Sequence, residues 1–131
     1  MRRPEEALHR AAVSLLRTSL PSPWFVAHVP NGGGRSKAEA GILKAMGVLA
    51  GMPDLLIFGP GPKVVAIEFK APPRRLRDGG PSKAAPRLSP AQRARQADLG
   101  ACGVPYLVID DLSEMFRALQ GLGVPLRGRA M

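Results

Sequence analysis

Two acidic residues and a lysine flank two apolar stretches in the middle of the chain. Asp54 opens the first stretch, and Glu68 and Lys70 close the second, in the segment GMPDLLIFGPGPKVVAIEFK that runs from Gly51 to Lys70. Because side chains on a strand alternate between two faces, Glu68 and Lys70 share one face. A hairpin that pairs the two stretches places Asp54 beside them. Charges in apolar surroundings are normally paired or bound to a metal, so this hairpin is the first candidate for chemistry.

Spacing alone leaves two interpretations of the hairpin open. Glu68 and Lys70 can form an exposed cross-strand ion pair, which contributes little. Alternatively, the carboxylates of Asp54 and Glu68, with the backbone carbonyl of Phe69, supply hard oxygen ligands for Mg²⁺ or Mn²⁺. A metal held there polarises a phosphate and activates a water. Lys70 would then act either as the base for that water or as an electrostatic stabiliser of the transition state.

The charge of the whole chain favours a polyanionic partner. Lys and Arg number 19 against 10 Asp and Glu, which gives a net charge of +9. A domain this basic usually meets a polyanion, with nucleic acid as the first candidate; the alternative is a soluble basic protein without such a partner. The 131 residues fit one domain, 1–131. The lone Cys102 excludes an internal disulfide and a cysteine-based zinc site, and no apolar run approaches the roughly 20 residues of a membrane span. We therefore expect a cytoplasmic protein with no membrane partner.

The elements that must position these residues alternate between helices and strands. The patterns predict helices over 5–18, 36–47, 89–102 and 111–121, strands over 24–29 and 104–109, and the two hairpin strands. The continuous apolar run over 104–109 predicts an interior strand, reached through a helical crossover. The last helix either packs on the core or forms an interface. We expect residues 123–131 to be a frayed tail.

Two basic segments are candidates for phosphate contact. A glycine loop (PNGGGRS) opens the second helix at a Ser36/Glu39 capping box, and a loop of this kind cradles an anion or is merely a flexible turn. Arg35, Lys37 and Lys44 add charge there. The segment 71–88 is rich in Pro, Gly and Arg. It is predicted to be either a flap that orders on nucleic acid or a solvated, disordered loop.

The order of these motifs resembles a known family. GMPDLLIF, VVAIEFK and LSPAQ resemble the motifs of the PD-(D/E)XK nuclease superfamily. More closely, the chain resembles the stand-alone VRR-NUC (virus-type replication–repair nuclease) domain. That likeness runs from Glu5 to about Ile109 and adds the blocks E-x-x-L-H, HVPNGGGR and ACGVPYLVI. The 71–88 segment departs from related chains, which are shorter there.

The resemblance implies an α/β, restriction-endonuclease-like fold, with a small mixed sheet flanked by helices. It also implies that Asp54 and Glu68 are metal ligands and Lys70 the catalytic lysine. Gln92 matches the family's glutamine near the metal, and this resemblance favours an active-site role; the alternative is that Gln92 serves only the capping box that it forms with Ser89. Glu5 matches an accessory metal or water ligand on the first helix, and Glu6 is its rival.

The same resemblance implies a function. We expect a Mg²⁺- or Mn²⁺-dependent DNA endonuclease, from a bacterial or phage setting, that selects branched DNA such as Holliday junctions and works as a homodimer. The alternatives are a non-catalytic DNA-binding module and a nuclease for flaps or ordinary duplex DNA. His28 and Trp24 are expected to belong to the sheet and core. The predicted DNA contacts are Asn31, Arg35, Lys37, Lys44, Arg74, Arg75, Arg77, Lys83 and Arg87.

Overall fold

The fold was analysed in a computed structural model that describes residues 3–30, 36–72 and 88–128. Each predicted helix and strand has a counterpart there. The elements in chain order are α1 (Pro4–Ser19), β1 (Phe25–His28), α2 (Lys37–Ala45), β2 (Leu55–Gly59), β3 (Lys63–Phe69), α3 (Pro90–Ala101), β4 (Tyr106–Ile109) and α4 (Leu112–Gly121).

The four strands form one mixed sheet in the order β1-β2-β3-β4. The first three strands pair antiparallel, and β3 and β4 pair parallel. The predicted hairpin is confirmed, with Gly59 opposite Lys63 and Gly61 at a positive φ in the turn between them. Leu55 lies opposite Ile67, so continuing the same register by one step brings Asp54 opposite Glu68.

The position of β4 corrects one prediction. The crossover through α3 is present, but within the described residues β4 lies at the edge of the sheet and not in its interior. Its run is nevertheless apolar because both of its faces are used. Ile109 is buried in the core. Tyr106 and Val108 share the opposite face, because they lie beside Ala66 and Glu68 in the parallel register.

The core lies on the face of the sheet that carries Ile57, Ile67 and Phe69, which are fully buried. Helices α1 and α4 cover this face. Their buried side chains are Leu8, Ala12 and Leu16 from α1, and Met115, Phe116 and Leu119 from α4. The last helix therefore packs on the core, and the interface that was its alternative role is not needed to bury it.

Local signals in the sequence mark the start of α1. Pro4 occupies the first turn, where its missing N–H costs nothing, and Glu5 and Glu6 favour the positive end of the helix. At the last residue of α1, the Ser19 carbonyl accepts a hydrogen bond from the backbone N–H of Arg127 at 2.8 Å. Val124 is also buried. A frayed tail is therefore wrong for residues 124–127, whereas residues 129–131 lie outside the described part of the chain.

Helix α2 stands apart from this packing. Ser36 caps it by accepting a hydrogen bond from the Glu39 amide at 3.1 Å, as predicted. None of its residues is buried, however, and Ile42 is 61% exposed; Met46, which follows the last residue of the helix, is 77% exposed. In the turn after the helix, Val48 and Leu49 are also apolar and exposed. No helix in the described ranges is long and apolar enough to cross a bilayer.

Candidate active site

A buried carboxylate at the end of β3 forms the centre of the site. Glu68 is only 3% exposed, and its Oε2 accepts a hydrogen bond from Gln92 Nε2 at 2.9 Å. Its Oε1 is buried and has no hydrogen-bond partner among the described residues. A buried carboxylate oxygen without a partner is costly. A cation at Oε1 would remove that cost.

Asp54 lies beside Glu68 and is fixed through its backbone. Its carbonyl accepts hydrogen bonds from the Val29 amide at 2.9 Å and from His28 Nδ1 at 2.8 Å. Its carboxylate Oδ2 accepts the Phe69 amide at 2.8 Å. This side chain therefore continues the β2–β3 ladder, and the position of its carboxylate is set by the sheet itself.

The first helix brings a third carboxylate to the same place. One oxygen from each of Glu5, Asp54 and Glu68 lies within 4.8 Å of the others. Glu6 is turned away from this cluster and pairs with Arg10 at 3.4 Å on the surface of the helix. Of the two glutamates weighed in the sequence, the geometry therefore places Glu5 with the other acids. Carboxylate oxygens in this number suit a hard divalent cation.

Gln92 serves the helix and the site at once. Ser89 Oγ accepts a hydrogen bond from the backbone N–H of Gln92 at 3.1 Å. In return, the side-chain Oε1 of Gln92 accepts a hydrogen bond from the backbone N–H of Ser89 at 2.8 Å, which completes the capping box. The same Oε1 accepts from Lys70 Nζ at 3.0 Å. The two explanations of Gln92 are therefore compatible. The capping box fixes the side-chain amide of Gln92, and this amide bridges Glu68 and Lys70.

Lys70 completes the group from the same face of β3. Its Nζ lies 3.9 Å from Glu68 Oε2, and its side chain is 18% exposed. The ammonium is therefore close to the carboxylates without being sealed from solvent. This arrangement can place positive charge, or a proton-transfer group, beside a ligand bound at the acids.

Glycine at position 51 allows α3 to approach the site. Gly51 has a φ of +82°, and a Cβ there would lie 2.3 Å from backbone atoms of Ala91. The contact seats the first turn of α3 directly against the chain that leads to Asp54. Gln92 follows Ala91, so this close approach sets the distance between Gln92 and Glu68.

Crowding of the acids changes the protonation of Glu68. Burial, followed by the neighbouring Asp54, raises the pKa of Glu68 to about 8, although Lys70 pulls it down. Burial and the charge of Glu68 also raise the pKa of Tyr106 well above its usual value. A divalent cation would compensate the negative charges and favour the ionised form of Glu68.

Sequence reasoning missed two residues next to the site. Tyr106 lies on the Glu68 face of the sheet, and the register that brings it there cannot be deduced from an apolar run. His9 follows Glu5 by four positions, and that helical spacing was a usable signal. Its ring lies 4.7 Å from that of His28 and 5.0 Å from that of Phe69, and burial lowers its pKa.

The predicted DNA contacts are only partly described. Lys37 and Lys44 lie on the exposed helix α2. His28 pairs with the Asp54 backbone, and Trp24 packs against the core, as expected of sheet and core residues. The following predicted contacts lie outside the described residues: Asn31, Arg35, Arg74, Arg75, Arg77, Lys83 and Arg87.

The role of Gly51 can be tested against a matched glycine. Gly47 also has a positive φ but has open space around its Cβ position. Gly47→Ala should cost about 1–2 kcal/mol of unfolding free energy from backbone strain alone. Gly51→Ala should cost more, and should shift the NMR amide resonances of residues 89–93, because α3 must move. Equal unfolding free energies and unshifted resonances would contradict this account.

The raised pKa of Glu68 makes a prediction about stability without metal. Between its ordinary value of 4.5 and about 8, folded Glu68 keeps a proton that the unfolded chain has lost. Raising the pH through this range should therefore destabilise the protein, by up to about 1.4 kcal/mol per pH unit from this group. Urea unfolding in the presence of a chelator measures the slope. Glu68→Gln should show a shallower slope, and parallel curves for the two proteins would refute the protonation assigned to Glu68.

Comparison with known proteins supports the architecture. No family model and no curated protein matches the sequence. A solved structure described as a "VRR_NUC domain protein" superposes with a TM-score of 0.61 at 19% identity, over 95% of this chain and 93% of the other. The two chains therefore share a fold at low sequence identity. The expected resemblance is confirmed at that level, and the mixed α/β fold of this chain, a four-stranded sheet flanked by helices, is the fold of a VRR_NUC domain protein.

Proposed function

We propose that this protein is a metal-dependent DNA endonuclease that hydrolyses phosphodiester bonds, and that residues 1–131 form its single nuclease domain. The observation that carries the proposal is the convergence of three carboxylates within 4.8 Å, with Lys70 Nζ 3.9 Å from one of them. The fold shared with a VRR_NUC domain protein supports it. The net charge of +9 supports a nucleic acid as the substrate.

Glu5, Asp54 and Glu68 are the residues that would hold the metal. Glu68 Oε1, which has no hydrogen-bond partner among the described residues, is available as a ligand. The Phe69 carbonyl is a further candidate, because its amide points at Asp54 and the N–H and C=O of a strand residue point to the same side. When bound, Mg²⁺ or Mn²⁺ would polarise the scissile phosphate and lower the pKa of a water.

The remaining groups orient and balance charge. Gln92 Oε1 holds Lys70 Nζ, and Gln92 Nε2 holds Glu68 Oε2, so one amide keeps the ammonium and the carboxylate side by side. Lys70 then either accepts a proton from the attacking water or stabilises negative charge that develops on the phosphate. A site with two or more acids facing a polyanion has no use in a protein that only binds DNA, which favours catalysis over a non-catalytic binding module.

We further propose that the enzyme selects branched DNA, including four-way junctions, and acts as a homodimer. Two symmetric cuts require two sites, and a two-fold dimer supplies them. An exposed apolar surface supports the dimer. Its residues lie on α2 and in the turn after it, and they are Ile42, Met46, Val48 and Leu49, exposed by 61%, 77%, 43% and 52%.

A cytoplasmic location belongs to the same proposal, because the exposed thiol of Cys102 suits a reducing compartment.

Cleavage assays test the catalytic proposal. Labelled junction, flap and duplex DNA should be cut only when Mg²⁺ or Mn²⁺ is added, and junctions fastest. Asp54→Asn should abolish cleavage while DNA binding persists or tightens, because the variant loses a ligand and a negative charge. No cleavage of any substrate would leave the non-catalytic binding module as the better account. Cleavage of flaps or duplex alone would instead retain the nuclease and remove the junction preference.

Two substitutions distinguish the two possible roles of Lys70, general base and electrostatic stabiliser. Lys70→Ala should lower the cleavage rate by about 10²- to 10⁴-fold, whichever role it has. Lys70→Arg keeps the charge but cannot accept a proton. Substantial activity in Lys70→Arg would assign an electrostatic role, and activity as low as that of Lys70→Ala would assign the base. Undiminished cleavage by Lys70→Ala would contradict both.

The dimer is tested by adding one charge to the apolar surface. Met46→Glu should convert the protein to a monomer in sedimentation velocity experiments, because a carboxylate would have to be buried in the interface. Gln120→Glu, on the exposed side of α4, adds the same charge elsewhere and should leave the dimer intact. A wild-type protein that stays monomeric at every concentration would contradict the proposal.

A further inference from the structure

An open groove of about 540 Å³ lies along α1, close to the carboxylate cluster. Its walls are cationic or polar, apart from one valine. The residues that matter here are His9, Arg10, Ser14, Arg17, Thr18 and His28. Among the described residues, no acidic side chain lines the groove, although the site next to it is crowded with carboxylates.

The groove begins where the carboxylate cluster ends. His9 lies one turn after Glu5 on α1, and His28 Nδ1 donates to the carbonyl of Asp54 at 2.8 Å. Both histidines line the groove. Since a backbone carbonyl only accepts, the Nδ1 proton of His28 is committed to Asp54, and its Nε2 is the ring nitrogen left for a ligand. A chain held at the acids can therefore continue directly into the groove.

Two arginines set the charge of the groove. Arg17 has no ion pair with any described residue. Among the described residues, the ion pair of Arg10 is with Glu6 at 3.4 Å, across an exposed turn where both side chains are more than half exposed. A pair of this kind contributes little and is easily exchanged for another anion. Arg17 is therefore available to a phosphate, and Arg10 can exchange its exposed partner for one; the planar donor geometry of a guanidinium suits phosphate well.

We propose that this groove binds the sugar–phosphate backbone of the DNA strand that flanks the scissile phosphate. The proposal rests on the proposed function for its substrate, and it names contacts that lie outside the carboxylate site. From His9 to Thr18 the groove runs about 14 Å along the helix. At about 3.4 Å of rise per nucleotide this length accommodates about four nucleotides of one strand. Because contacts to phosphates carry no sequence information, binding there should be independent of sequence.

Arg17 provides the test. Arg17→Ala removes an exposed side chain from the groove and should not disturb folding, which thermal unfolding checks. Arg117→Ala is the matched control, since it removes the same charge from the exposed side of α4. Affinity for a junction and for a duplex is measured by fluorescence anisotropy in a chelator, over a range of salt concentrations. This readout needs no cleavage, so it stands even if the protein proves not to be a nuclease.

The expected result is a loss specific to the groove. Arg17→Ala should weaken binding between about three- and tenfold, equally for different sequences. The slope of log K against log salt should become shallower by about 0.9, the value for one phosphate contact. Arg117→Ala should change both quantities less. If the two variants behave alike, or if the salt slope of Arg17→Ala equals that of the wild type, the proposal is overturned.

Replacing single DNA phosphates by a neutral analogue locates the phosphate that Arg17 contacts. Methylphosphonates are placed one at a time at four successive positions beside the cleavage site or junction point. At one position the modification should weaken wild-type binding but leave the affinity of Arg17→Ala almost unchanged, because the partner is already gone. Additive losses at every position would contradict a direct contact between Arg17 and the flanking backbone.

Discussion

The burial of the Glu68 carboxylate is the constraint on which the rest of the structure depends. Such burial is tolerated only where hydrogen bonds or opposite charges compensate it. One oxygen is satisfied by Gln92, Lys70 stands nearby, and the other oxygen has no partner among the described residues. Burial, followed by the neighbouring Asp54, therefore raises the pKa of Glu68 to about 8, and a cation at this carboxylate would favour its ionised form.

Each surrounding element can be understood from this requirement. The β2–β3 register brings Asp54 opposite Glu68, and α1 delivers Glu5 from the other side of the sheet. Helix α3 approaches closely because position 51 has no side chain, and its cap presents Gln92. The site thus depends on separate parts of the chain, each placed by local structure such as β-strand pairing, a glycine at a close approach or a helix capping box.

Much of this could be predicted from sequence because the signals are local. Strand alternation placed Glu68 and Lys70 on one face, and the capping box at Ser89 indicated the start of the helix that carries Gln92. Strand order is not local, and the apolar run of β4 wrongly suggested an interior strand, since covered faces give the same pattern at an edge. The groove along α1 was missed because it arises only when His28, from a strand, meets the arginine side of a helix.

We propose that Glu5, Asp54 and Glu68 together hold one divalent cation. Crystals grown with Mn²⁺ and measured near the manganese absorption edge would reveal the ion. We expect a strong anomalous peak among the three carboxylates, with Glu68 Oε1 at bonding distance. A map with no peak there, while the Glu68 carboxyl keeps only its contacts to Gln92 and Lys70, would contradict it.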